Sequence, residues 1–218
     1  MAASDVGAPG TAVRPLAEPV EVRLPPLLLG NPAPLGLLGY GMSTVVLSLA
    51  NAGIYDLGTM ILAMAVFFGG LAQLVVAILA FRRGETFAVT AFGGYAFLWL
   101  TFAFLLIGQA HGWWPVENSG TAMGWYLFVW AVFSLGMMIG SFVAPRVLTL
   151  VLALTVLLLL LLAFANWNAS SGLTKLGGWE GIITGASAMY TAFAFLFIEV
   201  FGREVLPVGK PLARPLGG

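Results

Sequence analysis

The chain has 218 residues, 60% of them hydrophobic and only 8% charged, with no net charge and no cysteine. Soluble domains carry about a quarter charged residues, so this composition marks an integral membrane protein. Neutrality gives no electrostatic case for nucleic acid, and the lack of cysteine excludes disulfides, thiolate metal sites and Cys nucleophiles.

Residues 1–30 are rich in Ala, Pro and Val, with scattered charges at Asp5, Arg14, Glu18, Glu21 and Arg23. The apolar run from Leu24 to Gly30 is short and broken by proline, which is wrong for a signal-peptide core. This stretch reads as a flexible cytoplasmic tail. Asn31-Pro-Ala-Pro-Leu-Gly-Leu37 then opens the first long apolar segment. Pro34 suits a first helical turn, because it lacks a donor that the turn could not use and its φ is already helical. Asn31 can cap the exposed backbone there. Free N–H groups at the same end could instead face a passing anion, together with the Asn31 amide.

Six apolar segments follow: Leu35–Asn51, Leu57–Phe81, Phe87–Ala110, Met123–Ala144, Val147–Trp167 and Gly181–Phe201. At roughly 20 residues per span they nearly exhaust the chain and leave no room for a second domain. The connections are Ala52 to Asp56, Arg82 to Glu85, His111 to Ala122, Pro145-Arg146, and a Gly/Ser-rich loop from Asn168 to Glu180. Trp113, Trp114 and Pro115 suit a membrane interface. If six spans alternate, Arg14, Arg23, Arg82, Arg83, Arg146, Arg203, Lys210 and Arg214 fall on one side and Lys175 on the other. The positive-inside rule then places both termini in the cytoplasm. A five-span or seven-span chain would split the basic set.

The spans are not uniformly apolar. Tyr40, Thr44, Ser48 and Asn51 recur at helical spacing and share one face, with Ser43 beside them. Gln73 lies near mid-membrane, one turn after Gly69-Gly70. Thr90, Gly93, Gly94 and Tyr95 cluster in the third span, Ser134, Gly136, Gly140 and Ser141 in the fourth, Thr149 and Thr155 in the fifth. Thr184, Gly185, Ser187, Tyr190 and Thr191 follow in the sixth. Small residues let membrane helices approach, and Ser/Thr hydroxyls bond their own backbone, so packing explains much of this. Packing suffices for Gly136 and Gly140. It does not suffice for Gln73, because a primary amide in lipid needs partners or water. The central membrane holds no Lys, Arg, Asp or His, and Glu199 comes near the cytoplasmic end of the sixth span. His111, the one histidine, is a loop residue. No HExxH, GxSxG or paired intramembrane aspartates occur, so the residues offer little to an intramembrane enzyme and no charged proton relay. What remains is a weakly polar, aromatic-rimmed path for a small solute.

Asn31-Pro-Ala-Pro-Leu-Gly-Leu, followed by Gly39-Tyr-Gly-Met-Ser-Thr, resembles the signature of the acetate uptake transporter family of the succinate–acetate permease type. Similar stretches run in order through the membrane region: Phe67-Phe-Gly-Gly-Leu-Ala-Gln73, Thr90-Ala-Phe-Gly-Gly-Tyr95, Ala144-Pro-Arg-Val-Leu148, Leu154-Thr-Val156, Gly185-Ala-Ser-Ala188 and Phe201-Gly-Arg203. The resemblance covers about residues 31–209, which sets off 1–30 and 210–218 as cytoplasmic tails around one transporter domain. It implies an all-α membrane protein of six transmembrane helices, assembled as a homo-hexamer with one path per protomer. It also implies uptake of acetate and related short monocarboxylates, sometimes succinate, by a proton-linked or channel-like route, without cofactor or metal. Its hydrophobic constriction falls on Tyr40, Tyr95 and Leu154, and its polar path residues on Asn31, Ser43, Thr44 and Gln73. The chain departs from the pattern twice. Tyr40 stands where Phe is usual, and Ala194-Phe195 stands where familiar bacterial members carry Gly-Glu. Glu199 matches a second acidic position of that stretch.

The physical reading agrees with this implication. Acetate is ionised at pH 7, and a bare anion in hydrocarbon is very costly. Hydroxyls, amides and helix N-termini replace part of its hydration without trapping it, as a fixed Arg would. Two other classes fit a six-span chain: an aquaporin-like channel, which needs a second Asn-Pro-Ala motif and a filter Arg, and a non-transporting sensor or subunit. The residues leave open the physiological acid, the direction, the proton stoichiometry and the choice between channel and carrier.

Overall fold

The computed structural model describes residues 30–113 and 119–213. Among them are six helices long and apolar enough to cross a membrane. These are α1 (Ala33–Asn51), α2 (Thr59–Arg82), α3 (Thr86–Ala110), α4 (Ser119–Gly140, extended by a 3-10 turn over Ser141–Val143), α5 (Arg146–Trp167) and α6 (Ser171–Phe201). Arg14, Arg23, Arg214, Trp114 and Pro115 lie outside the described residues.

The first helix packs along its length on the last, α2 on α3, and α5 between α4 and α6. Small residues make the α1–α6 seam. A side chain on Gly41 would come within 2.7 Å of the Gly185 carbonyl, and one on Gly185 within 2.6 Å of the Gly41 carbonyl. Without a hydrophobic force between helices in lipid, such close backbone approach is what holds spans together.

The sixth helix begins ten residues before the apolar segment does. Ser170 caps it by accepting a bond from the Leu173 N–H at 3.3 Å, and only Asn168 to Ser170 remain as a turn. The expected Gly/Ser-rich loop is therefore helix. Its glycines serve contact: Gly177 lies against Leu162 of α5 and Gly178 against Asn51 and Ala52, and Gly181, at the start of the apolar segment, lies against Ser48. Low helix propensity is overridden by packing against α1. The helix ends at Gly202, whose left-handed φ of 66° only glycine adopts freely, with its N–H on the Ile198 carbonyl at 2.9 Å.

α2 is interrupted. Met64–Ala72 winds as a π-helix between α-helical turns at Thr59–Ala63 and Gln73–Arg82. Wider winding redirects carbonyls, and neighbours use them. The Met64 carbonyl accepts from the Ser43 hydroxyl at 3.2 Å. The Phe68 carbonyl presses against Gly39, where a Cβ would come within 2.6 Å of it. On its other side the π segment packs Gly69 against the Trp99 indole.

The Arg83 guanidinium bonds the Gly30 carbonyl at 3.1 Å, which puts the start of α1 beside the α2–α3 turn. The chain after α6 returns to the α4–α5 turn at that same end. Arg146 and Val147 donate their N–H groups to the carbonyls of Gly209 and Val208, and the Leu212 and Ala213 N–H groups bond the Phe142 carbonyl. Residues 208–213 thus form a strap on the bundle. This basic end carries Arg82, Arg83, Arg146, Arg203 and Lys210; Lys175 marks the far end.

Candidate functional site

Two cavities lie in the bundle and meet at the same three residues. The larger, about 370 Å³, runs from Tyr40, Tyr95 and Thr155 toward the far end, past Asn51, Asn166 and Ser119. The smaller, about 90 Å³, runs from the same three toward the basic end, past Gln73, Leu148 and Ala33. Neither lining contains a charged side chain.

The junction is a packed aromatic pair. Tyr40 and Tyr95 are 7% and 5% exposed, with ring centroids 5.3 Å apart. Each hydroxyl is held by a neighbouring helix. The Thr155 hydroxyl donates to the Val151 carbonyl at 2.8 Å, so in the 2.6 Å contact between Tyr40 and Thr155 the phenol is the donor. The Tyr95 phenol donates to Ser134 Oγ at 2.9 Å. Burying two phenols costs free energy unless both are bonded, and here both are.

The polar stripe of α1 behaves as its spacing predicts: Tyr40, Thr44, Ser48 and Asn51 all line the large cavity. A second stripe faces it from α5. Thr155 and Asn166 stand eleven residues apart, as Tyr40 and Asn51 do, with Leu158, Leu159 and Leu162 between them. Gln109 adds another amide from α3. Thr155, Asn166 and Gln109 were not singled out as site residues. The repeated eleven-residue spacing in α5 was the signal for the first two.

Gln73 is fully buried and lines the small cavity. Its backbone N–H goes to the Gly70 carbonyl. Its side-chain Nε2 takes the Gly69 carbonyl at 2.6 Å, the acceptor that an α-helix would have given to that backbone N–H. The amide is thereby oriented, and Oε1 is left buried without a partner.

The other expected site residues separate. Ser43 bonds the π segment and lines neither cavity, whereas Thr44 lines the large one and donates its hydroxyl to the Tyr40 carbonyl at 2.7 Å. Asn31 Oδ1 accepts from the Ala33 N–H at 3.0 Å, which is the capping role. With Pro32 and Pro34 lacking N–H groups, that end offers few amides to an anion. Leu154 is half-buried and lies outside both linings; its neighbours Val151, Leu152, Thr155 and Leu158 face the cavities instead. Phe195, where familiar bacterial members carry Glu, lines the small cavity, while Glu199 is exposed. His111 is at the far-end surface, its Nδ1 against the Ile107 carbonyl.

No group of three or more His, Cys, Asp or Glu able to hold a metal occurs among the described residues. The arrangement can pass a small solute between two chambers through an aromatic neck, with bonding from hydroxyls and amides.

Comparison with known proteins accords with this geometry. Residues 14–201 match the GPR1/FUN34/yaaH family. The chain is 42% identical over 182 residues to the succinate-acetate/proton symporter SatP of Escherichia coli, covering 84% of this chain and 96% of that protein. A solved structure of the bacterial acetate channel SatP superposes with a TM-score of 0.81 at 42% identity, covering 83% of this chain and 99% of that one. Ammonia transport outward protein 2 of Saccharomyces cerevisiae is 34% identical over 171 residues, 75% of this chain and 60% of that protein.

Proposed function

The chain belongs to the GPR1/FUN34/yaaH family, and from that premise we propose that it carries acetate and related short monocarboxylates across a cell membrane. It is a multi-pass membrane protein and a transporter, not an enzyme. The observation that carries the substrate class is the pair of uncharged cavities meeting at Tyr40 and Tyr95. A fixed cation would hold a carboxylate too firmly for rapid release, while hydroxyls and amides replace hydration by brief contacts. Family membership displaces the aquaporin-like alternative, and two cavities meeting at one neck favour transport over a sensor role.

The path residues in this reading are Thr44 and Gln73, with Asn31 and Ser43 supporting α1 and the π segment. The neck is Tyr40 with Tyr95, and Leu154 is its third member by resemblance. The reading also includes a homo-hexamer with one path in each protomer and both termini in the cytoplasm. The basic end then faces the cytoplasm.

Uptake of labelled acetate into proteoliposomes tests the function, with unlabelled acetate, lactate and succinate as competitors. Acetate uptake above protein-free vesicles, competed by short acids, is the expected result; none above that background overturns the reading. Single cysteines placed in this Cys-free chain test orientation. A cysteine at position 83 labelled from outside overturns cytoplasmic termini. Native mass spectrometry of the purified protein gives the assembly, with six copies expected.

A further inference from the structure

The two cavities differ in what their walls can bond. The large one offers an occupant hydroxyls and amides, from Thr44 on α1 to Asn166 on α5. The small one offers an almost wholly apolar surface, with Leu37, Phe87, Phe92, Leu148, Leu152 and Phe195 among its walls. Phe195 is the one side chain that α6 contributes there among the described residues, and it packs with Leu148 on the buried core of Leu37 and Phe92. The first turn of α3 reaches this cavity at Phe87 and Ala88, and with so little polar surface it presents carbon rather than free amides. The hydroxyls at the neck are engaged: Tyr40 on Thr155, Thr155 on Val151, Tyr95 on Ser134. Beyond the neck the one polar side chain in the lining is Gln73. Its Nε2 is spent on the Gly69 carbonyl, so the free atom is Oε1, an acceptor.

We propose that the small cavity is a tail pocket, so that this chain carries monocarboxylates with a short alkyl tail and rejects dicarboxylates, with Phe195 as the residue that sets the preference. This rests on the acetate-transport reading and names the acids within it. An acid that enters the neck tail first keeps its carboxylate among the hydroxyls and amides of the large cavity. An alkyl tail gains from the apolar walls, by about fourfold in affinity for each buried methylene. A second carboxylate on that tail is acceptor-only. It sets its lone pairs against Oε1 and stands dehydrated among carbon, which is far costlier than burying a neutral group. Any acid that is carried takes one carboxylate through this pocket; succinate brings two.

Purified full-length protein in liposomes gives the test, at pH 7, where both carboxylates of succinate are ionised. Uptake of labelled acetate above protein-free vesicles is competed with unlabelled acetate or butyrate, and labelled succinate is followed directly. Butyrate and succinate have equal chain length and differ in the second carboxylate. Butyrate competing at least about fourfold better than acetate, with succinate uptake below about a tenth of acetate uptake, is the expected result. A smaller advantage for butyrate, or succinate uptake above that tenth, overturns the tail pocket and leaves transport standing. Absence of flux above vesicles for every acid removes the transport reading and this inference with it. Phe195→Gln puts an amide that can donate into the pocket. It should raise the succinate-to-acetate uptake ratio about fivefold. An unchanged ratio in a variant folded by its Tm overturns the role of Phe195, and the wild-type measurements decide the pocket without any variant.

Discussion

The large and small cavities share α1, α3, α5 and α6, but α4 walls only the large one and α2 only the small one, and they are built by opposite rules. The far-end chamber displays side chains at regular helical spacing on regular helices: Tyr40 to Asn51 on α1, Thr155 to Asn166 on α5. The basic-end chamber depends on an irregularity, the π-helical turn over Met64–Ala72 that orients Gln73. Periodicity produces a wide polar vestibule cheaply, because every eleventh residue returns to the same face. A single oriented amide in an apolar pocket needs a broken backbone register, and π segments concentrate at functional sites for that reason.

Removing the irregularity should have the largest effect. Gly39→Val puts a branched side chain into the Phe68 carbonyl. Overpacking costs about 1–3 kcal/mol, and acetate uptake should fall at least a hundredfold, read by flux at matched protein together with Tm in detergent. Wild-type flux would mean that the small cavity does not need the π turn preceding Gln73. Opening the neck comes next. Tyr95→Ala joins the chambers, and the lactate-to-acetate uptake ratio should rise about tenfold, because loss of steric and dewetting limits favours the larger acid.

A third experiment separates adjacent residues. Thr155→Val leaves the buried Tyr40 hydroxyl unbonded, at a cost of about 1–3 kcal/mol, and should shift the lactate-to-acetate ratio several-fold. Leu154→Ala, outside both linings, should shift it less. The reverse order would restore Leu154 to the neck, where the resemblance puts it. Tyr40→Phe removes the same bond from the other side and should match Thr155→Val in direction with a smaller change. The smallest effect belongs to Asn31. Asn31→Ala should lower Tm by the cost of a lost cap, about 1 kcal/mol, and Asn31→Ser should recover it. Acetate uptake should stay within about twofold in both, since the side chain caps Ala33. A tenfold loss in Asn31→Ser would make it a substrate contact.

These contrasts also explain what could be read in advance. Six spans and the α1 stripe, Tyr40 included, follow from hydropathy and the 3.6-residue period, which are local properties, whereas Tyr95 was placed beside Tyr40 by the family resemblance alone. Gln73 stood out because a lone amide in lipid demands an account, though its orientation depends on a π turn that glycine permits without announcing. The start of α6 was hidden because Gly177 and Gly178 look like loop until α5 and α1 are beside them. Thr155 was hidden among leucines, and its role appears only when Tyr40 faces it across 115 residues of chain. The strap over 208–213 is bonded through its backbone, so no side-chain pattern marks it.

The seam between Gly41 and Gly185 has a consequence in time. The first helix made finds its partner only when the last has been made. At roughly 5–20 residues per second, α1 waits on the order of ten seconds in the bilayer with Ser48 and Asn51 uncovered and its glycine face open. Until α6 arrives, the large chamber lacks Thr174 from its wall and the small one Phe195. A ribosome that stalls before Gly185 therefore leaves inserted spans whose α1 glycine face has no partner.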